Sequence, residues 1–322
     1  MQKISKESHN INKVIWVKKV LKVFLISFIV LCVIIFSLSL YVGNYVYDYT
    51  LNPNSQKNII EKIPVNEKSI QKSKQWLQQN SKDVYIECEE LKLHGYFIPQ
   101  DSSVYMIMVH GYRSDGSSLV SPAKKMLKDN YNILIPDLRG HGESEGDYIG
   151  MGWDDRQDIL KWIDFILKQD KQAQIILYGV SMGAATVMNV SGETLPKQVK
   201  AIIEDCGYTS VWDLCQTRFD MNDFQNKWAL RIASLTTFLR AGYFLKDVEP
   251  IEQVKKSQTP ILFIHGEDDT FVPSSMLDKL YNAATCPKEK LLIKDAGHAD
   301  SYTTNPELYY QTVNQFIKKY IK

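Results

Sequence analysis

Two hydrophobic patterns divide this chain. Near the N-terminus, Val23–Tyr47 runs for 25 residues without a charge, and Val23–Val42 is almost wholly apolar. As a helix that run measures about 37 Å, long enough to cross a hydrocarbon layer of about 30 Å with some tilt. Further on, short apolar runs alternate with amphipathic ones. Strands are expected at Val84–Cys88 and Leu91–Ile98, an antiparallel pair at one sheet edge, and at Val104–Val109, apolar throughout as a strand buried on both faces would be. More strands follow near Ile133–Pro136, Gln174–Tyr178, Val199–Glu204, Ile261–Ile264 and Leu291–Ile293. Between them, Ile159, Trp162, Ile163, Ile166 and Leu167 fall at helical spacing, and Asn305-Pro306 caps a last helix that buries Val313, Phe316, Ile317 and Tyr320. Such alternation predicts an α/β fold with a doubly wound, mostly parallel sheet.

One interval breaks that rhythm. About 50 residues separate Asp205 from the next strand, and they hold Trp212, Phe219, Phe224, Trp228, Ile232, Leu235, Phe238, Leu239, Tyr243 and Phe244. Trp228, Ile232, Leu235 and Leu239 share one helical face. Leu51–Lys82 is polar, with an amphipathic segment around Ile70–Leu77, and is expected to be a spacer followed by a leading helix.

Charge changes the picture at the N-terminus. The net charge of the whole chain is +1, yet residues 1–22 carry six lysines against Glu7 alone, so the tail holds +5 and the rest −4. Nothing there suggests a nucleic-acid surface, so no nucleic-acid partner is expected. The expected layout is a cytoplasmic basic tail (1–22), a single transmembrane helix (23–47), a spacer with its leading helix (48–82) and a catalytic domain (83–322) with an insertion at about 210–250. The positive-inside rule puts the N-terminus in the cytoplasm and the domain outside the cell membrane, with Tyr41, Tyr45, Tyr47 and Tyr49 as the outer aromatic belt. A cleaved signal peptide, with Ser37-Leu38-Ser39 at the cleavage site, is the competing reading, although the apolar stretch exceeds a usual signal core. The five cysteines (32, 88, 206, 215, 286) show neither a disulfide framework nor metal-ligand spacing, and read as packing residues.

The chemistry centres on Ile175-Ile176-Leu177-Tyr178-Gly179-Val180-Ser181-Met182-Gly183. An apolar strand, a Gly-x-Ser-x-Gly turn and helix-favouring residues make a nucleophile elbow, with Ser181 on a sharp, strained turn and glycines on either side because side chains would not fit. A serine needs a base, and His298 follows the last strand, where a loop can return it to the sheet edge. His110 and His265 stand at strand ends before glycines and suggest loop-shaping roles. His94 lies in an early strand and His9 in the tail.

From about Asp83 to the C-terminus the chain resembles the α/β-hydrolases, on the elbow and the order Ser, Asp, His. Asp137-Leu138-Arg139-Gly140-His141-Gly142-Glu143-Ser144 resembles that family's loop after the fourth strand. Gly266-Glu267-Asp268-Asp269-Thr270-Phe271-Val272-Pro273 is similar to its turn after the penultimate strand, which implies Asp269 as the acid, with Asp268 the neighbour to exclude. The resemblance further implies an oxyanion hole from the backbone N–H groups of Tyr112 and Met182, and a lid formed by the 210–250 insertion, with Trp228, Ile232, Leu235 and Leu239 lining an acyl pocket. Arg113 is assigned no role. The expected activity is cleavage of an ester, thioester or amide of a small-molecule or lipid-like acyl substrate through an acyl-enzyme, with no cofactor and no metal. An acyltransferase on the same scaffold, or a non-catalytic binding module, are the alternatives.

Overall fold

The computed structural model describes residues 2–55, 67–218 and 223–322, with the backbone only for 2–15. Part of the expected spacer (56–66) and Phe219 therefore lie outside the described residues. The first helix, α1 (Gln2–Thr50), is continuous over 49 residues. Its side chains from Trp16 to Leu38 are almost all exposed, and from Ser39 onward a buried stripe appears at Gly43, Tyr47 and Leu51. Among the described residues, α1 is the one helix long and apolar enough to cross a membrane.

After α2 (Glu67–Asn80) come β1 (Lys82–Cys88), β2 (Leu91–Ile98), β3 (Val104–Val109), α3 (Val120–Met126), β4 (Asn132–Pro136), α4 (Asp155–Gln169), β5 (Gln174–Val180), α5 (Met182–Ser191) and β6 (Val199–Asp205). The insertion holds α6 (Val211–Arg218), α7 (Phe224–Ala241) and the short α8 (Pro250–Val254). The chain finishes with β7 (Ile261–Gly266), α9 (Ser275–Ala283), β8 (Lys288–Ile293), α10 (Ser301–Thr304) and α11 (Pro306–Lys318). The strands form one eight-stranded sheet in the order β1-β2-β4-β3-β5-β6-β7-β8, in which β1, β2 and β4 pair antiparallel and every other neighbouring pair is parallel.

The unbroken apolar runs are explained by burial on both faces. Along β5, Ile175 and Leu177 enter one core with Trp162 and Ile163 of α4 and Val190 of α5. Ile176, Tyr178 and Val180 enter the other, with Met126 of α3 and Val313 and Phe316 of α11. A third cluster joins the end of α1 to the insertion: Tyr47 and Leu51 pack with Tyr208, Leu230, Ala233 and Tyr243.

That third core corrects the sequence reading at one point. Tyr47 is buried under the Arg240 guanidinium, 4.0 Å from its ring centroid, so it does not belong to an outer belt with Tyr41 and Tyr45, which are exposed. Residues 48–55, the first part of the expected spacer, lie against the domain: Leu51 is buried and its carbonyl accepts from the Ile149 N–H at 2.8 Å. Burying Leu51, next to Tyr47 at the end of α1, ties this stretch to the domain more firmly than its polar composition implies.

Candidate active site

The sheet brings its functional turns to one edge, the carboxyl ends of the parallel strands, where ligands of open α/β sheets bind. The turn after β3 carries Gly111, Tyr112 and Arg113. The elbow follows β5, the acid turn follows β7, and the His298 loop follows β8.

Ser181 sits at φ 57°, ψ −117°, a backbone conformation strained for a residue with a side chain. The glycines are required by close approach. A Cβ on Gly179 would lie 2.2 Å from the Gly183 carbonyl oxygen, and one on Gly183 would lie 2.0 Å from that of Val109. The Ser181 N–H donates to the Asp205 carbonyl at 2.8 Å, which fastens the strained turn to β6. Helix α5 starts at Met182, so its positive end is directed at the Ser181 position.

The structure brings the three expected residues together. Ser181 Oγ lies 2.8 Å from His298 Nε2, and His298 Nδ1 lies 2.7 Å from Asp269 Oδ2. Asp269 is buried and Asp268 exposed, which separates the two neighbours that sequence left adjacent. The other Asp269 oxygen accepts from the N–H groups of Phe271 and Val272, each at 2.8 Å. Burial alone would raise this carboxyl. Hydrogen bonds from His265 and His298, and the peptide N–H of Val272, outweigh it and hold Asp269 well below the usual carboxylate range. An ionised Asp269 accepts a hydrogen bond from the Nδ1–H of His298, which keeps the proton on Nδ1 and leaves Nε2 to accept from the serine.

His265 does more than shape its loop. Its Nε2 donates to the Val272 carbonyl at 2.9 Å and lies 3.3 Å from Asp269 Oδ2, so it is a second cationic or dipolar support for the acid. The two other buried histidines near the β3 turn are kept neutral. Burial pushes His141 down to about 3, and His110 is also lowered by burial. His141 Nδ1 donates to the Arg139 carbonyl at 3.0 Å, so its Nε2 is free to accept the Arg113 N–H at 3.1 Å. His110 Nε2 accepts from the Leu138 N–H at 3.0 Å. Together they tie the turn after β3 to the 137–144 loop.

Arg113, to which the sequence gives no role, is central to the architecture. Its guanidinium donates to the carbonyls of Ser55 (2.5 Å), Tyr49 (3.0 Å) and Asn52 (3.1 Å) around the end of α1, and its Nε to the Tyr112 hydroxyl at 2.9 Å. The carbonyl partners lie 58 to 64 residues away in sequence, so no local pattern could reveal them. Gly111 lies close beside the serine: a Cβ there would be 3.4 Å from Ser181 Cβ.

The four residues expected to line an acyl pocket are placed differently. Trp228 and Ile232 are half-buried, and Leu235 and Leu239 are exposed. Ile232 packs toward α1, where a Cβ on Gly43 would lie 3.0 Å from its side chain. The face turns away from the core that Leu230, Ala233 and Thr237 enter on the other side of α7, so Leu235 and Leu239 point outward from it. Helical spacing identified the face but not its direction.

Among the described residues, one group of possible metal ligands converges: Cys206, Asp269 and His298, with donor atoms within 4.8 Å of one another. The 2.7 Å Asp269–His298 separation is that of a hydrogen bond, whereas two tetrahedral ligands at about 2.0 Å from zinc stand roughly 3 Å or more apart. The pair as arranged holds a proton.

Comparison with known proteins agrees with this fold. The family model described as "Serine aminopeptidase, S33" matches residues 100–212, and that described as "Serine hydrolase (FSH1)" matches 166–299. The uncharacterized Bacillus subtilis protein YqkD is 29% identical over 228 residues, covering 70% of this chain and 75% of its own length. The Arabidopsis thaliana alpha/beta hydrolase domain-containing protein WAV2 is 25% identical, covering 74% of this chain and 79% of its own. The fold superposes on a Pyrococcus furiosus esterase, Pf2001, with a TM-score of 0.62 and 23% identity, covering 76% of this chain and 95% of that one. The chain belongs to the α/β-hydrolase superfamily. Within it, the matching families are those of serine hydrolases.

Proposed function

We propose that the protein is a membrane-anchored serine esterase acting through an acyl-enzyme. The observation that carries this is the continuous hydrogen-bonded line from Ser181 Oγ through His298 to Asp269, at 2.8 and 2.7 Å. In this reading Ser181 Oγ attacks the acyl carbonyl while His298 Nε2 takes its proton, and Asp269 stabilises the imidazolium. The N–H groups of Tyr112 and Met182 receive the oxyanion. His298 then returns the proton to the departing alcohol. In the second half, water gives its proton to His298, attacks the acyl carbon, and Ser181 leaves protonated.

The substrate in this reading is a carboxylic ester of a small-molecule or lipid-like acyl group. The N-terminal helix anchors the chain, with the lysine-rich tail in the cytoplasm and the catalytic domain outside. Support for anchoring comes from the bare stretch of α1 between Val23 and Leu38 and from the domain closing round its far end at Tyr47 and Leu51.

Labelling of the full-length chain with a fluorophosphonate probe tests the chemistry. Wild type should label and Ser181→Ala should not; a wild type that stays unlabelled while folded overturns the assignment. External protease on intact cells tests the topology: residues beyond Asn52 should be cleaved while a tag at Met1 stays protected, and the reverse pattern overturns it.

A further inference from the structure

Outside α1, eight large apolar side chains are exposed among the described residues, and four of them lie on α7: Phe224 (78%), Leu239 (68%), Leu235 (46%) and Phe238 (43%). At 100° per residue these four and half-buried Trp228 fall within one sector of about 100°. Single exposed apolar residues need no explanation, but a contiguous row on one helix marks an interaction surface. Exposed Lys227 and Arg231 stand along the same side. Apolar residues bordered by long cationic side chains, whose charged ends can reach up to the headgroups, suit a helix set into one leaflet.

The position of α7 identifies the occupant. The helix is packed directly against α1 where that helix leaves its bare apolar stretch. Gly43 lets the two backbones approach, since a Cβ there would lie 2.1 Å from Thr236 Oγ1 and 3.0 Å from the Ile232 side chain. Further along, Arg240 donates to the side chains of Asn44 (3.2 Å) and Asp48 (2.9 Å). The contacts advance in the same direction along both helices, so the N-terminal end of α7, with Phe224, is directed back toward the stretch Val23–Leu38. The side of α7 opposite the apolar row is occupied by the domain core through Leu230, Ala233 and Thr237.

We propose that α7 is a second membrane-contacting element, its Phe224–Leu239 row bedded in the leaflet beside α1. The inference rests on the anchoring of α1 and extends it: the domain is not held off the bilayer on a stalk but lies on it. The surface that meets lipid is then continuous from α1 to the insertion, and the turn carrying Tyr112 is tied to the same end of α1 through Thr50.

The test uses full-length chain, with Cys32 and Cys215 changed to Ser, reconstituted in vesicles of phosphatidylcholine and phosphatidylglycerol. A bimane label is placed at Leu239→Cys, at Leu235→Cys or, as the anchoring control, at Ile29→Cys. Acyl chains brominated near the headgroup and at mid-depth provide quenching from within lipid, and iodide provides it from water. The expected result is quenching of all three labels by brominated lipid, by at least about twofold for the α7 positions, with little effect of iodide. If Ile29→Cys is quenched by lipid while both α7 labels are quenched by iodide alone, the α7 proposal fails and anchoring stands. If Ile29→Cys is itself quenched by iodide, anchoring fails and the proposal goes with it. Labels on α7 that neither quencher reaches mean that protein, such as a second copy of the chain, covers the row, and this also overturns the proposal.

Discussion

The Tyr112 hydroxyl donates to the Thr50 carbonyl across 2.5 Å, joining the turn after β3 to the last residue of the N-terminal helix. With Arg113 beside it, this contact caps the carbonyls that a helix leaves unpaired at its end. Arg113 adopts φ 51°, a left-handed conformation that is retained although arginine disfavours it. Arg113→Ala removes the donated hydrogen bonds that hold the end of α1. It should lower stability by about 2–3 kcal/mol, and Tyr112→Phe by about 1 kcal/mol. Since the same turn presents the Tyr112 N–H, kcat on a soluble ester should fall about tenfold in Arg113→Ala with KM little changed, equivalent to about 1.4 kcal/mol of transition-state stabilisation. Urea midpoints in detergent and steady-state kinetics measure both; unchanged kcat would leave Arg113 a purely structural cap.

Ser181 and His298 should behave as one catalytic unit. Each single alanine variant should lose several orders of magnitude in kcat, and the double variant should be little worse than either. Rates of p-nitrophenyl acetate hydrolysis give the comparison, and losses that multiply would contradict a shared step.

Asp269→Asn should be far more damaging than Asp268→Asn. Replacing the triad acid of a serine protease by its amide costs about 10⁴-fold in kcat, because the amide favours the wrong histidine tautomer, and a loss of that order is expected here. Asp268 is exposed, so its amide should leave kcat within about twofold, as most surface changes are close to neutral. Equal losses in the two variants would remove Asp269 from its assigned place.

The contact between Gly43 and Thr236 can be measured by a double-mutant cycle. Gly43→Ala places a methyl against Thr236 Oγ1 and should cost about 1–3 kcal/mol through overpacking. Thr236→Ala opens that space, so the double variant should recover part of the loss. Chemical denaturation in detergent supplies the four free energies, and simple additivity would show that the helices are not in contact there.

Glu204 should make stability fall as pH rises. Burial pushes its carboxyl up to about 8 from an ordinary 4.5, despite the nearby His265 and the Gly207 N–H, which donates to Oε2 at 3.0 Å. Between those values the folded chain keeps a proton that the unfolded chain has lost. Each pH unit across that window therefore withdraws up to about 1.4 kcal/mol, and above about 8 the loss is complete. In Glu204→Gln this contribution is absent. The difference in unfolding free energy between wild type and variant should move in favour of the variant from about pH 4.5 to 8. A constant difference would show that Glu204 is ionised in the fold.

The sequence by itself determined the order of strands and helices along the chain, the elbow and the identity of the triad candidates. These are local: a buried parallel strand must be apolar at every position, as in Ile175–Tyr178, and a serine on a strained turn needs glycine at 179 and 183. It also determined that Trp228, Ile232, Leu235 and Leu239 share a face, because helical periodicity does not depend on surroundings. Tertiary structure alone decided which way that face points, since an apolar row has the same spacing whether it meets a core, a neighbouring helix or lipid. For Asp269 over Asp268, which the turn pattern had implied, it supplied the physical difference: burial, and the two peptide N–H groups that reach only the former. And it alone gave Arg113 its place, because the carbonyls it pairs with become neighbours only when the end of α1 folds back onto the turn after β3.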